Sequence, residues 1–152
     1  MKVRAGRILT RLAAKNESLG RWTQVVSISA TLSWMAVTLL FLGSSDPPSP
    51  EAPPWWFPAL AHLFLFAVLG LLTLLTLATL ERSSGWISSL AVVVVIGFLW
   101  GSATELYQGT IPSRSASWED LFLDTVGAFL GGAGAKVAGL CCYRYLGWNR
   151  VY

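Results

Sequence analysis

The sequence predicts an all-α protein, an integral membrane bundle of four transmembrane helices with both termini on the cytoplasmic side. Three observations predict it. The 152 residues are 54% hydrophobic and only 12% charged, where a soluble domain carries about a quarter charged residues. Four apolar stretches each approach the roughly 20 residues that cross a bilayer. The basic residues alternate with those stretches in a way that puts nearly all of them on one side.

In chain order, the first stretch is Thr23–Gly43, "TQVVSISATLSWMAVTLLFLG", and the second is Ala59–Leu80, "ALAHLFLFAVLGLLTLLTLATL". The third runs from about Trp86 to Glu105 and the fourth from about Trp118 to Cys142. The connection "SSDPPSPEAPPWWFP" is too rich in proline for helix or central strand, and predicts an exposed, semi-extended linker. Pro58 suits the first turn of the second helix, where its missing N–H leaves nothing unpaired. "ERSSG" is a tight connection. The first stretch is too long and begins too late for a signal peptide, so it is expected to remain as an anchor. No hydrophilic segment is long enough to fold alone. One domain over residues 23–143 is expected, between a basic cytoplasmic segment, 1–22, and a cytoplasmic tail, 144–152.

Lys2, Arg4, Arg7, Arg11, Lys15 and Arg21 precede the first helix, Arg82 separates the second and third, and Lys136, Arg144 and Arg150 end the chain. Four crossings put all ten on one side and Arg114 alone on the other, and the positive-inside rule makes the larger set cytoplasmic. Aromatic residues agree: Trp22, Trp86 and Trp148 mark one interface, Trp55, Trp56 and Trp118 the opposite one. Such basic residues near a membrane attract anionic lipid, so lipids are the expected partners and nucleic acid is not.

Within this topology, "ELYQGTIPSRSASWEDLFLD" (105–124) holds four of the eight acidic residues. Glu105 and Gln108 share a face at the outer end of the third helix, Arg114 sits in the outer loop, and Asp120 and Asp124 share a face of the fourth. His62 lies at similar depth in the second. Intramembrane ionisable residues face the bundle interior and mark sites, so these six form a candidate polar site. Each also has an architectural reading. "SWED" suits an N-cap at Ser117 with acids in the first turn, although Asp124 lies about 9 Å deeper than Trp118 at 1.5 Å per residue. His62 can be a hydrogen-bonded interior residue, and Arg114 can neutralise Glu105 or Asp120. Lys136 can snorkel to the cytoplasmic face. Gly127 and Gly131, four apart, allow close helix packing along the face of Asp120 and Asp124. Cys141 and Cys142 are neighbours whose mutual disulfide would be strained.

The arrangement of His62, Glu-x-x-Gln at Glu105 and Gln108, a loop Arg114, and Asp120, Asp124, Gly127 and Gly131 resembles the VanZ-like family of small bacterial membrane proteins. The resemblance covers about residues 55–135. Family members commonly carry an Asp-Lys pair where Pro58–Ala59 stands, and asparagine at the position of Asp124. The resemblance implies a bacterial inner-membrane protein acting at the cell envelope, and implies no reaction; the catalytic residues are unknown.

Three functions are open at this point. The polar site can bind or process an amphiphilic envelope molecule, such as a lipid or lipid-linked precursor. Arg114 would then hold an anionic headgroup, and His62 with Glu105 or Asp124 would be the acid–base pair. Alternatively, the chain is a structural or accessory subunit of a larger membrane complex. A transporter fits less well, because "SSLAVVVVIGFLW" offers no polar path through the third helix. His62 and carboxylates are acceptable metal ligands, but no ligand spacing is recognisable, and no metal and no cofactor is expected.

Overall fold

Why the four apolar stretches form helices follows from their surroundings. In hydrocarbon every backbone N–H and C=O must be paired within the segment, and a helix does this. In a computed structural model of the chain, the described residues are 2–44, 56–80, 85–112 and 114–145, with side chains described from residue 18 to 139 within them. They form α1 (Lys2–Leu42), α2 (Phe57–Leu80), α3 (Trp86–Gln108) and α4 (Trp118–Tyr145). Each contains a span long and apolar enough to cross a membrane: Ser18–Leu42, Phe57–Leu80, Trp86–Gln108 and Trp118–Gly139. The proline-rich linker, Arg82, Trp55, Trp148 and the tail beyond Tyr145 lie outside the described residues. So do the side chains of the basic residues up to Lys15 and those of Cys141, Cys142 and Arg144.

The segment boundaries are close to those expected; the differences are at the start of α1 and at the ends of α3 and α4, the last running past Cys142 to Tyr145. α1 begins at Lys2 rather than near Thr23, so the basic segment is an extension of the first membrane helix. Its many Ala, Leu, Arg and Lys residues favour helix, and no proline interrupts it. α3 continues one turn past Glu105 and ends at Gln108. Pro58 is in the first turn of α2, as its missing N–H predicts.

α4 packs most extensively on α2, then on α3, while α1 lies mainly against α2. Small residues make the central contact. A methyl group added at Gly131 would overlap the Ala67 carbonyl, and one at Gly70 would overlap the Ala128 carbonyl. At Gly127 it would sit 2.5 Å from the Leu63 oxygen. Thus Gly127 and Gly131 serve the expected close approach, and the helix they admit is α2. Ala128 also meets Gly97 of α3, and Gly132 packs on Val93 and Leu90.

α1 is held differently. Its core contact joins Trp34, Met35 and Phe41 to buried Leu65, Phe66 and Leu69. Polar side chains then tie it to α2: Gln24 Nε2 donates to the Thr79 carbonyl at 2.9 Å, Ser27 and Thr79 hydroxyls pair at 3.0 Å, and Thr31 and Thr76 hydroxyls at 2.9 Å. Trp34 Nε1 donates to the Leu65 carbonyl, and Trp100 Nε1 of α3 to the Thr38 hydroxyl. Interhelical hydrogen bonds of this kind act as glue where lipid is as apolar as the side chains. The outward faces carry Leu32, Leu40, Phe64, Leu99, Phe122 and Phe129, exposed as lipid-facing residues are.

Because the groups facing Gly131 are backbone, they cannot move aside as a flexible side chain would. Gly131→Val is expected to destabilise the bundle by about 1–3 kcal/mol or more, read as a lowered thermal unfolding midpoint in detergent. Gly134→Ala, with nothing within 4 Å of the added atom, should leave the midpoint unchanged.

Candidate functional site

The polar residues of the bundle interior gather where α2 and α4 begin and α3 ends. That end is fixed by topology: antiparallel neighbours joined by a short α3–α4 connection bring these three termini together. Along the connection, successive turns (Thr110 N–H to the Tyr107 carbonyl, Ile111 N–H to Gln108, Arg114 N–H to Ile111) fold the chain back on the end of α3.

His62, in the second turn of α2, is 3% exposed, and Asp124, in the second turn of α4, is fully buried. Their Nδ1 and Oδ1 atoms are 2.9 Å apart and form the ion pair or hydrogen bond that joins the two helices. Asp124 Oδ2 has no hydrogen-bond partner among the described residues. It lies against Gly101 of α3, where an added Cβ would stand 3.1 Å from it. Gly101 therefore makes room for the buried carboxylate. It lies four residues before Glu105 on the same face of the helix, a signal available in the sequence and not used there.

Glu105 is 5% exposed and Gln108 is 3% exposed. The Ser117 backbone N–H donates to Glu105 Oε2 at 2.7 Å, and Gln108 Nε2 donates to Oε1 at 3.4 Å. Arg114 Nη1 donates to Gln108 Oε1 at 3.4 Å. The Asp120 N–H donates to Ser117 Oγ at 3.3 Å, so the expected N-cap is present. Ser117 thus serves two elements at once, capping α4 by its hydroxyl and holding Glu105 by its amide. The second role depends on the fold and has no signature in sequence.

All six candidate residues meet at this end of the bundle. Ligand-capable atoms of His62, Glu105 and Asp120 lie within 4.8 Å of one another. Arg114 makes no direct ion pair with Glu105 or Asp120 among the described residues, so neutralisation by it would act through space rather than by contact. Among the described residues the one ion pair is His62–Asp124, and the guanidinium reaches the Gln108 amide instead. Lys136 is exposed near the other end of α4, where it lines a cleft with Trp86 and Val137, away from this site.

Beside the polar cluster is an apolar cleft of about 320 Å³. Phe98, Leu106, Trp118 and Leu121 line it, with Ser102, Ala116 and Ser117, and Glu105 is its acidic wall. Glu105 is therefore shared between a charged interior and a hydrocarbon-like surface. Apart from Trp118, which marks an interface, the cleft's apolar residues read in the sequence as ordinary lipid-facing side chains.

The chain matches the VanZ/LLP1 family model over residues 13–139. It belongs to that family. The match takes in most of α1 as well as the helices that carry the polar residues. Comparisons with curated proteins and with solved structures found no match. With four helices long and apolar enough to span a membrane, this VanZ/LLP1 protein is a multi-pass membrane protein.

Replacing Asp124 by leucine would strip a buried imidazole of its partner, at a cost of about 1–3 kcal/mol. Asp124→Asn keeps an acceptor beside Nδ1 and should lose markedly less. Thermal unfolding in detergent of the two variants beside wild type checks the order.

Proposed function

We propose that this VanZ/LLP1 protein binds an anionic amphiphile of the cell envelope, a lipid or lipid-linked precursor, at the polar end of the bundle. The observation that carries this reading is the adjacency of the apolar cleft to the polar cluster, with Glu105 belonging to both. A molecule with a charged head and a hydrocarbon tail matches such a boundary. Arg114 supplies the cation for the head: its guanidinium is committed to a neutral amide at 3.4 Å and to no carboxylate among the described residues. A guanidinium so placed can accept phosphate or carboxylate in bidentate fashion. The tail would lie in the cleft between Phe98, Leu106 and Leu121.

The positive-inside distribution supports cytoplasmic termini and the VanZ/LLP1 match supports an inner-membrane location, which together would put this site in the outer leaflet. The His62–Asp124 pair, with Glu105 close by, has the composition of an acid–base relay, so processing of the bound molecule is compatible with the same site. The accessory-subunit reading loses one of its supports, since Gly127 and Gly131 pack inside the bundle against α2.

The test is native mass spectrometry of protein gently extracted from its own membrane, with Arg114→Ala alongside wild type. Loss of one charge-assisted contact, about 1.5–3 kcal/mol, should lower retention of an anionic lipid by roughly tenfold or more and leave zwitterionic lipid unaffected. Equal retention by the variant would sink the proposal. A fixed heteromeric complex that survives the substitution would identify an accessory subunit.

A further inference from the structure

The geometry points to a divalent metal-ion site formed by His62, Glu105 and Asp120, with Asp124 as the residue that orients His62. The inference stands apart from the amphiphile reading, since it concerns the protein's own residues and is tested without lipid.

Three helices contribute one donor each, and the ligand-capable atoms lie within 4.8 Å of one another. In a tetrahedral zinc site with bonds of 2.0–2.1 Å, donor atoms are about 3.4 Å apart. A bound ion would draw these donors closer, and Glu105, whose oxygens accept from the Ser117 amide and Gln108, would share or exchange those bonds. One imidazole with two carboxylates is a ligand set that Zn²⁺ and Mn²⁺ both accept.

A second observation concerns the imidazole. Its Nδ1 is 2.9 Å from the wholly buried Asp124. With the carboxylate accepting, Nδ1 carries the hydrogen and the lone pair is on Nε2. A carboxylate behind a histidine fixes tautomer and ring orientation in metal sites and raises the basicity of the ligand nitrogen.

The third observation is charge. Glu105, Asp120 and Asp124 face one imidazole and one guanidinium, and that guanidinium pairs with neither Glu105 nor Asp120. Asp124 in addition keeps an oxygen with no partner among the described residues. Converging carboxylates are costly to ionise inside a membrane protein, and a divalent cation at their meeting point would offset charge beyond what His62 and Arg114 supply. Three protein ligands leave a coordination position open to water or an anionic group. Sequence offered these ligand types without a recognisable spacing, because the members come from three separate helices.

The experiment adds Mn²⁺ to metal-stripped, detergent-solubilised full-length protein and follows binding by electron paramagnetic resonance, with Zn²⁺ as competitor. Expected is one bound Mn²⁺ per chain, displaced by Zn²⁺, whose spectrum shows nitrogen coupling from one imidazole. His62→Gln and Glu105→Gln should each abolish stoichiometric binding, and Asp124→Asn should weaken it about 10–100-fold. Glu119→Gln, which removes a carboxylate one residue from Asp120 and outside the cluster, should bind as wild type does. Gel filtration of each variant reports whether the bundle is intact. No binding by folded wild-type protein, or unchanged binding in either glutamine variant, overturns the proposal. Should both variants fail to fold, the wild-type spectrum decides, and bound Mn²⁺ without nitrogen coupling overturns it.

Discussion

The close approach of α2 and α4 is the constraint on which the rest of this structure depends. It is a contact between backbones, made possible because Gly70, Gly127 and Gly131 have no side chain to hold the helices apart. In lipid there is little hydrophobic gain from pressing two apolar helices together, so contact distance and packing determine whether they associate. A single register results, and that register sets His62 against Asp124. The dry interior contact and the polar pair are thus successive turns of one interface.

The polar end follows from the same geometry. A buried aspartate and histidine are tolerable in a membrane only when each satisfies the other, and the helix contact brings them to 2.9 Å. α3 then closes the third side, with Gly101 leaving space for the Asp124 carboxylate and Glu105 held by the amide of Ser117. The α3–α4 turn does double service, capping α4 and lending a donor to α3. Such sharing makes the site sensitive to the connection as well as to the helices.

α1 is bound by other means, a ladder of hydroxyl and amide groups rather than glycine contacts, and among the described residues it contributes none to the polar cluster. The VanZ/LLP1 match nevertheless takes in most of it. A physical role consistent with this is cover: Trp34, Met35 and Phe41 pack over Leu65, Phe66 and Leu69 of α2.

By itself the sequence determined the four membrane helices, because hydrocarbon admits few alternatives to a helix of about 20 apolar residues. It also determined the level at which polar residues gather, since counting turns from the helix ends places His62, Glu105 and Asp124 at similar depth. The glycine spacing on α4 was legible for the same reason: helical periodicity is a local property. Which helix those glycines meet was decided only by the tertiary structure. So were the pairing of His62 with Asp124, the diversion of Arg114 to Gln108, the Ser117 amide on Glu105, and the apolar cleft beside it. These depend on rotation of each helix about its axis and on the path of a short connection. Packing between distant segments sets both, and neither leaves a periodic mark in the chain.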